Sequence, residues 1–337
     1  MDNNIYYSYD KVLSRNAMLN FLIGERGVGK TYGITKFVIK RFKNKKKQFV
    51  YLRRYKSELA EAVPKFFDKI KDDEDFKNDK FKVGKSSFYI NGEEAGYAIP
   101  LSIANILKGT TFTNVDTIIF DEFIIDKGCY HYLPNEVIQL LDVIETIARM
   151  RNIKVFMLGN AISSTNPYFN FFDIEIPYNT DIKMYKHNLI LVNYIKNERY
   201  RKAKKETRFG KLIEGTIYEK YAIDNEFLRD SKAFISKKSN NSKFYCIILF
   251  NNFYYGVWVD YKKANIYINN ICDYNCPRKF VFNTDDMNDN TILIRSKASP
   301  FIQNIIERYR YGKLFFSSQK IKNNFMKLLN KWITYWQ

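Results

Sequence analysis

The feature that most restricts the fold of this 337-residue chain is a glycine-rich octet, Gly24-Glu25-Arg26-Gly27-Val28-Gly29-Lys30-Thr31. It follows the apolar run Leu19 to Ile23 and precedes a stretch of helical character at 30–42. A GxxxxGK[ST] loop between a strand and a helix presents backbone N–H groups to nucleotide phosphates. The octet therefore predicts a nucleotide-binding α/β domain.

The residues of this loop predict a site for ATP and Mg²⁺. Lys30 is expected to reach the β- and γ-phosphates, and Thr31 is expected to coordinate Mg²⁺ through its hydroxyl. We predict nucleotide contacts from Gly24, Glu25, Arg26, Gly27, Val28, Gly29, Lys30, Thr31 and Tyr32.

Two further apolar segments, 117–120 and 154–158, end in polar residues. After the first, we predict that Asp121 holds Mg²⁺ through water and that Glu122 is the general base. After the second, Asn160 is predicted to hydrogen-bond the γ-phosphate or the attacking water. A solvated acidic turn and a simple capping amide are the structural alternatives for these two positions.

The helical stretch 135–150 between those strands carries arginines near its end. An arginine can be offered to the γ-phosphate bound by a neighbouring subunit, where it neutralises transition-state charge. Arg149 is our candidate, with Arg151 and Lys108 as alternatives. Because the helix macrodipole also favours a cation there, a structural role stays open.

The remaining pattern predicts two domains. A second strand at 48–53 and a hairpin around Asn91-Gly92 complete an alternation of strands and helices, which indicates a largely parallel sheet. The strands at 244–250, 253–259 and 266–268 form an antiparallel meander, and 301–336 is mostly helical. We predict an ATPase domain at 1–180, a basic linker at 181–211 and a second domain at 212–337.

The net charge of +19 predicts a polyanionic partner, and nucleic acid is favoured over membrane. Candidate contacts to the phosphates of DNA are Lys45, Lys46, Lys47, Lys202, Lys204 and Lys205, with a solvated basic face as the alternative. No apolar run approaches the ~20 residues that span a bilayer. The N-terminus lacks a signal-peptide pattern, and the four cysteines show no metal or disulfide spacing, so we expect a cytoplasmic protein.

Segments spread over about 20–290 resemble the DNA-packaging ATPases of small tailed phages of the phi29 type. They are FLIGERGVGKT, QFVYLRRYKSELA, YAIPLS, NVDTIIFDEF, LPNEVIQLLD, STNPYF, ETRFGKLIEGT, DSKAFI and GVWVD. The resemblance implies a RecA-like P-loop ATPase domain of the additional-strand (ASCE) class, followed by a smaller RNase H-like α+β domain. It also implies a catalytic role for Glu122, an extra basic residue at Arg26 and a place near the nucleotide for Arg53 and Arg54.

The resemblance further implies ATP-driven translocation of double-stranded DNA into a preformed procapsid. The expected assembly is a homomeric ring, commonly a pentamer, that docks on the portal in the host cytoplasm and is absent from the mature virion. A packaging RNA is a further partner suggested by the resemblance.

The second domain carries few acids for a nuclease, namely Asp260 at a strand end and Asp285, Asp286 and Asp289 in a polar loop. Two-metal cleavage needs three or four inward carboxylates, so we predict a vestigial nuclease. Three alternatives stay open: a terminase with an active nuclease, another P-loop DNA translocase or helicase, and a binding module with a purely structural nucleotide site.

Overall fold

The computed structural model describes residues 6–68, 70–103, 111–125, 131–161, 166–174, 180–216, 218–219, 234–250, 253–294 and 299–333. The chain forms two compact units, Met1–Arg229 and Asp230–Gln337. Each unit has its own sheet and its own apolar core.

The described strands of the first unit form one nine-stranded sheet. They are β1 Leu19–Gly24, β2 Gln48–Arg53, β3 Phe81–Val83, β4 Ser87–Ile90, β5 Glu93–Pro100, β6 Val115–Asp121, β7 Lys154–Asn160, β8 Ile182–Tyr185 and β9 Ile190–Tyr194. Their order is β3-β4-β5-β2-β6-β7-β1-β9-β8. Strand β7 lies between β1 and β6 and is parallel to both. This insertion between the phosphate-loop strand and the acidic strand confirms the predicted additional-strand, RecA-like sheet.

Helices cover both faces of this sheet. They are α1 Asp10–Leu13, α2 Lys30–Lys45, α3 Lys56–Ala62, α4 Glu136–Ala148, α5 Pro167–Phe172, α6 Glu198–Lys205 and α7 Arg208–Leu212, with 3₁₀ turns at Val63–Lys65 and Glu74–Phe76. Neighbouring residues of β1 face opposite sides, so Phe21 packs in the core beneath α4 and Leu22 packs in the core beneath α2. Both faces are therefore buried, which explains the apolar runs of the central strands.

The first unit extends further along the chain than the sequence predicts. Strand β9 pairs in parallel with β1, and β8 adds to it as a hairpin. Helices α6 and α7, from the predicted linker 181–211, also belong to this unit. The predicted boundary at 180 is therefore corrected to Arg229. The physical reason is the run Ile190–Tyr194, which is buried at every position and completes the sheet.

The predicted hairpin is confirmed in the same sheet. Strands β4 and β5 pair in antiparallel fashion around Asn91 and Gly92, whose φ angles are +52° and +86°. Both residues have the positive φ that a type I′ turn requires.

The second unit contains six described strands and two helices. They are β10 Lys243–Phe250, β11 Phe253–Asp260, β12 Asn265–Asn269, β13 Lys279–Val281, β14 Ile292–Leu293, β15 Leu314–Phe316, α8 Pro300–Arg310 and α9 Gln319–Ile333. The sheet order is β14-β13-β10-β11-β12-β15. The predicted meander β10-β11-β12 is confirmed, and β13 and β14 continue in parallel on the far side of β10. This is the strand arrangement of an RNase H-like sheet, with β15 added beside β12.

The acids that the structure describes in this unit do not gather around a metal position. Asp260 accepts hydrogen bonds from the Ser239 hydroxyl at 2.6 Å and from the amides of Lys262 and Lys263, so it caps a turn. The hydrogen bond from Ser239 lowers the pKa of Asp260. Asp285 and Asp289 are exposed in a loop. Over the described part of the chain, no three His, Cys, Asp or Glu residues could hold a metal ion together.

None of the described helices is both long and apolar enough to cross a bilayer.

Candidate active site

The phosphate loop connects β1 to α2 and is held from outside by two other segments. Gly27 and Gly29 have φ angles of +86° and +100°, which favour glycine. The amide of Tyr7 donates to the Val28 carbonyl at 2.9 Å, and the Lys204 ammonium donates to the Arg26 carbonyl at 2.9 Å. These two carbonyl groups are thus engaged by protein donors, which suits a loop that offers its N–H groups to phosphates.

Lys30 begins α2 and lies at the centre of the site. Its ammonium donates to the carbonyls of Gly24 and Glu25, at 3.0 and 2.9 Å, and to Oδ1 of Asn160 at 3.2 Å. Burial lowers the pKa of Lys30 to about 8, although Asp121 and Glu25 oppose this effect. A cation that loses hydration in this way gains strongly from a bound phosphate.

Asp121, at the end of β6, faces the start of α2. The Thr31 and Tyr51 hydroxyls both lie 3.3 Å from its Oδ2. Burial raises the pKa of Asp121, and the charge of Arg53 opposes that rise. A hydroxyl and a buried carboxylate are the hard oxygen ligands that Mg²⁺ prefers. A cation at this position would also relieve the buried charge, so these residues fit the predicted metal.

Glu122 follows Asp121 and is paired with Arg53. Nη1 of Arg53 lies 2.7 Å from Oε2 of Glu122, and its Nε donates to the Tyr51 hydroxyl at 3.2 Å. Glu122 has a φ of +59°, an uncommon conformation for a residue with a side chain. The acidic turn is therefore strained and its carboxylate is held by an arginine.

Most of the predicted site residues meet around one cavity of about 560 Å³. Its lining includes Arg26, Gly27, Gly29, Lys30, Thr31, Tyr32, Asp121, Glu122 and Asn160, together with Tyr6, Leu158 and Gly159. Asn160 reaches the cavity because β7 pairs with β1 in a register that places it opposite Gly24. Lys30, Thr31, Asp121 and Glu122, from two separate elements, thus share one site.

Four of the predicted nucleotide contacts lie outside this lining: Gly24, Glu25, Val28 and Arg53. Val28 is fully buried in the core beneath α2. The Glu25 carboxylate is also buried and is paired with Arg201 of α6, whose Nε lies 2.6 Å from its Oε1. The side chain of Glu25 therefore fixes the loop from behind and does not face the cavity.

Arg149 caps the end of α4 and is exposed. Helix α4 leads into the start of β7, whose other end lines the cavity. Since a seven-residue strand is roughly 20 Å long, Arg149 lies at the opposite edge of the sheet from its own phosphate loop. Arg151 is occupied differently, because its guanidinium donates to the carbonyls of Phe112 and Val115 at 2.6 and 3.0 Å. Lys108 lies outside the described residues.

The predicted DNA contacts fall into two environments. Lys45 and Lys202 are exposed, and Lys47 is partly exposed. Lys46 pairs with Glu93 at 2.6 Å, and Lys205 pairs with Glu219 at 3.1 Å. Lys204 donates to the phosphate loop, so this part of the basic segment contacts the nucleotide site.

Sequence reasoning missed two tyrosines that shape the site. Tyr6 and Tyr200 flank the loop, with ring centroids 6.4 Å apart, and Tyr6 lines the cavity. Arg54, expected near the nucleotide together with Arg53, does not line the cavity and is fully buried behind Glu122. The aromatic density near both chain segments was the only sequence signal for the tyrosines.

The sheet order and the convergence at this cavity define a P-loop ATPase of the additional-strand, RecA-like class. A family model described as Podovirus DNA encapsidation protein (Gp16) matches residues 1–333. The chain belongs to this family, and its function is ATP-driven packaging of viral DNA. The resemblance inferred from the sequence is thus confirmed.

Individual relatives agree with this assignment. The DNA packaging protein of Bacillus phage phi29 is 38% identical over 333 residues, which cover 98% of this chain and 99% of the relative. A chain of the bacteriophage phi29 viral genome packaging motor assembly superposes with a TM-score of 0.82 at 37% identity, over 97% of this chain and 99% of the other. The N-terminal domain of the phi29 DNA packaging ATPase gives 0.53 at 39% identity, over 57% of this chain and 97% of that domain.

Proposed function

We propose that the described cavity binds ATP with Mg²⁺ and hydrolyses it to drive double-stranded DNA into a procapsid. The observation that carries this proposal is the convergence of Lys30, Thr31, Asp121 and Glu122 on one cavity at the carboxyl ends of β1 and β6. In the proposed reaction a water oxygen attacks the γ-phosphorus, and the bond to the β-phosphate oxygen breaks. The proton of that water passes to Glu122.

Each side chain has a distinct part in this step. Lys30 binds the β- and γ-phosphates, and Asn160 hydrogen-bonds the γ-phosphate or the attacking water. Arg26 adds positive charge from the loop. Thr31, and Asp121 through water, would hold Mg²⁺, which would neutralise part of the phosphate charge when bound.

The pairing of Glu122 with Arg53 gives the site a resting state. The Arg53 guanidinium occupies Oε2 of Glu122 at 2.7 Å, so that oxygen is not open to the attacking water. Hydrolysis therefore requires Glu122 to exchange Arg53 for the attacking water. Arg53 acts here as a regulator of the base and not as a direct nucleotide ligand.

Arg149 is proposed to complete the site of a second copy. It lies at the edge of the sheet opposite its own cavity and is exposed, so it can serve a phosphate only in another subunit. Among the described residues its guanidinium makes no ion pair, whereas Arg151 is bound to backbone carbonyls. This favours Arg149 over Arg151.

The assembly proposed from these properties and from the phi29 relatives is a homomeric ring on the portal, in the host cytoplasm and absent from the mature virion. Five subunits and a packaging RNA partner are the finer expectations. Lys45 and Lys202, which are exposed, and Lys47, which is partly exposed, are the best placed candidates for DNA phosphates. Lys204 is more suited to sensing the phosphate loop, because its ammonium donates to it.

The first test measures ATP turnover and ATP-dependent protection of duplex DNA by procapsids. We expect Glu122→Gln to abolish both while it still binds ATP, because the amide cannot accept the proton. Glu145→Gln, on an exposed position of α4, is the matched control and should retain both. Unchanged turnover in Glu122→Gln would refute the catalytic assignment, and strand displacement on a forked duplex would indicate a helicase.

A second test addresses the role of Arg149 by mixing variants. Arg149→Ala and Lys30→Ala are each expected to be inactive, and their mixture is expected to recover part of the turnover. Recovery occurs because an intact loop in one subunit meets an intact arginine from another. Arg15→Ala, an exposed arginine before β1, is the control. Full activity of Arg149→Ala alone would contradict the proposal.

A further inference from the structure

A buried ion pair lies behind the acidic turn and has no part in the roles assigned above. Arg54 follows β2, and Glu136 is the first residue of α4. Their side chains are 1% and 0% exposed. Nε of Arg54 lies 2.7 Å from Oε2 of Glu136, and Nη2 lies 2.9 Å from Oε1. A protein with apolar residues in place of a buried ion pair is often at least as stable as one with the pair. The stability of the fold therefore does not explain why this pair is present.

The other guanidinium bonds of Arg54 reach the acidic turn. Nη2 donates to the Phe123 carbonyl at 2.9 Å, and Nη1 approaches the Glu122 carbonyl at 3.4 Å. Arg54 therefore holds two successive peptide groups where Glu122 adopts its positive φ. A strained backbone of this kind persists only when its surroundings fix it.

Glu136 anchors the arginine in turn. Its Oε1 also accepts from the Tyr168 hydroxyl at 2.6 Å, and its Oε2 accepts from the Leu133 amide at 2.8 Å. Each carboxylate oxygen of Glu136 thus accepts two hydrogen bonds. The Arg54 guanidinium also lies over the Tyr132 ring, 5.0 Å from its centroid. The network joins β2, the acidic turn, α4 and α5 without solvent contact.

The charge state of the pair is consistent with a fixed clamp. Burial by itself would lower the pKa of Arg54, but the hydrogen bond and charge of Glu136 raise it. Neither Arg54 nor Glu136 lines the nucleotide cavity. Any effect on catalysis must therefore act through the turn that carries Glu122.

We propose that Arg54 and Glu136 are positioning residues that hold the backbone of Glu122 in its positive-φ conformation and tie it to α4. This inference rests on the proposed role of Glu122 as the general base. Helix α4 has 13 residues, so it is roughly 20 Å long, and its other end carries Arg149. The pair thus joins the base of one site to the helix that carries the arginine offered to the next.

The test replaces the network with apolar groups of similar size in the full chain: Arg54→Met, Glu136→Leu and Tyr168→Phe together. We expect the melting temperature to change by only a few degrees and the affinity for a fluorescent ATP analogue to stay within about threefold. We expect kcat to fall about 100-fold, because a small displacement of a catalytic group costs on that order.

A control removes a more exposed arginine–carboxylate pair, 30% and 11% exposed, at the other end of β6. Nε of Arg41 lies 2.8 Å from Oδ2 of Asp116. Arg41→Met with Asp116→Leu should leave kcat near wild type. If the triple variant does not fold, Glu136→Gln and Tyr168→Phe are tested singly, and each should lower kcat without raising KM. Arg54→Lys keeps the charge but loses the planar fork, so it should not restore kcat.

A folded triple variant with wild-type kcat would overturn the inference. So would a loss of ATP affinity in proportion to the loss of kcat, which indicates general damage. Glu122→Gln distinguishes a failure of the positioning role from a failure of the proposed function. If Glu122→Gln loses turnover and the triple variant keeps it, only the positioning role fails. If Glu122→Gln keeps turnover, the proposed function and this inference fail together.

Discussion

The ion pair between Arg201 and Glu25 predicts how much free energy of unfolding is lost when Arg201 is replaced. The Glu25 carboxylate is buried and the Arg201 side chain is 15% exposed, with Nε and Oε1 2.6 Å apart. Arg201→Met would leave the buried carboxylate without its cation. Removing one partner of such a pair costs about 3–5 kcal/mol, and the partial exposure of Arg201 favours the lower end.

Protonation of Glu25 limits this cost. Protonating a carboxyl with the ordinary pKa of 4.5 at pH 7 costs at most about 3.4 kcal/mol. Burial already raises the pKa of Glu25 in the wild type, despite the opposing hydrogen bond from Arg201. We therefore expect the variant to lose about 2–3 kcal/mol at pH 7, or roughly 4–12 °C in melting temperature for a unit of this size.

The pH dependence has a definite sign. A carboxyl whose folded pKa is raised stabilises the protein fully only below its unfolded pKa, and this stabilisation is lost as pH rises through the folded pKa. The pKa rises further when Arg201 is removed. The deficit of the variant should therefore shrink to below about 1 kcal/mol near pH 5, and it should grow towards pH 7.

Unfolding in urea followed by circular dichroism measures this deficit in the full chain. The three tryptophans, Trp258, Trp332 and Trp336, all belong to Asp230–Gln337, so their fluorescence provides an internal control that should not change. Adding Glu25→Gln to Arg201→Met should recover most of the loss and remove the pH dependence. A single variant as stable as wild type at pH 7, or equally destabilised at pH 5 and 7, would refute the reasoning.

Three further predictions concern ligands. ATP affinity should weaken by up to about tenfold per pH unit above pH 8, because Lys30, with its pKa of about 8, must regain a proton when ATP binds. Titrations of the wild type and of Lys30→Arg with ATP at several pH values measure this effect. A wild-type affinity that does not change with pH would contradict the prediction. Tyr6→Ala should raise KM for ATP about fivefold at constant kcat, since an aromatic contact of this kind is worth about 1 kcal/mol; steady-state kinetics measure it. Duplex DNA binding should weaken steeply with salt, and Lys202→Ala should flatten that slope more than Lys204→Ala does, as filter binding between 50 and 200 mM salt would show.

Much of the active site could be predicted from short stretches of sequence. Parallel strands bring their carboxyl ends to one edge, so the polar residues that follow β1, β6 and β7 could be placed together without a structure. The apolar runs identified these strands because both faces are covered. The polar character of Lys30, Asp121 and Asn160 then indicated their chemistry.

The supporting contacts could not be predicted because they join residues that are remote in sequence. Glu25 and Arg201 are 176 positions apart, and no local pattern distinguishes Arg201 from the surrounding basic residues. The resemblance places Arg54 near the nucleotide, but only tertiary packing makes it the centre of a buried network with Glu136. The run Ile190–Tyr194 did carry a signal for β9, but the basic stretch that follows obscured it.

The position of Arg149 has a consequence for how copies of the chain can associate. Its guanidinium and the cavity lie at opposite ends of the parallel strands of one sheet, so the proposed contact is directional. Each copy offers its arginine at one end and binds the arginine of another copy at the other end. An open row would leave an incomplete site at one end. A closed arrangement, either a ring or an antiparallel pair, supplies every cavity with an arginine.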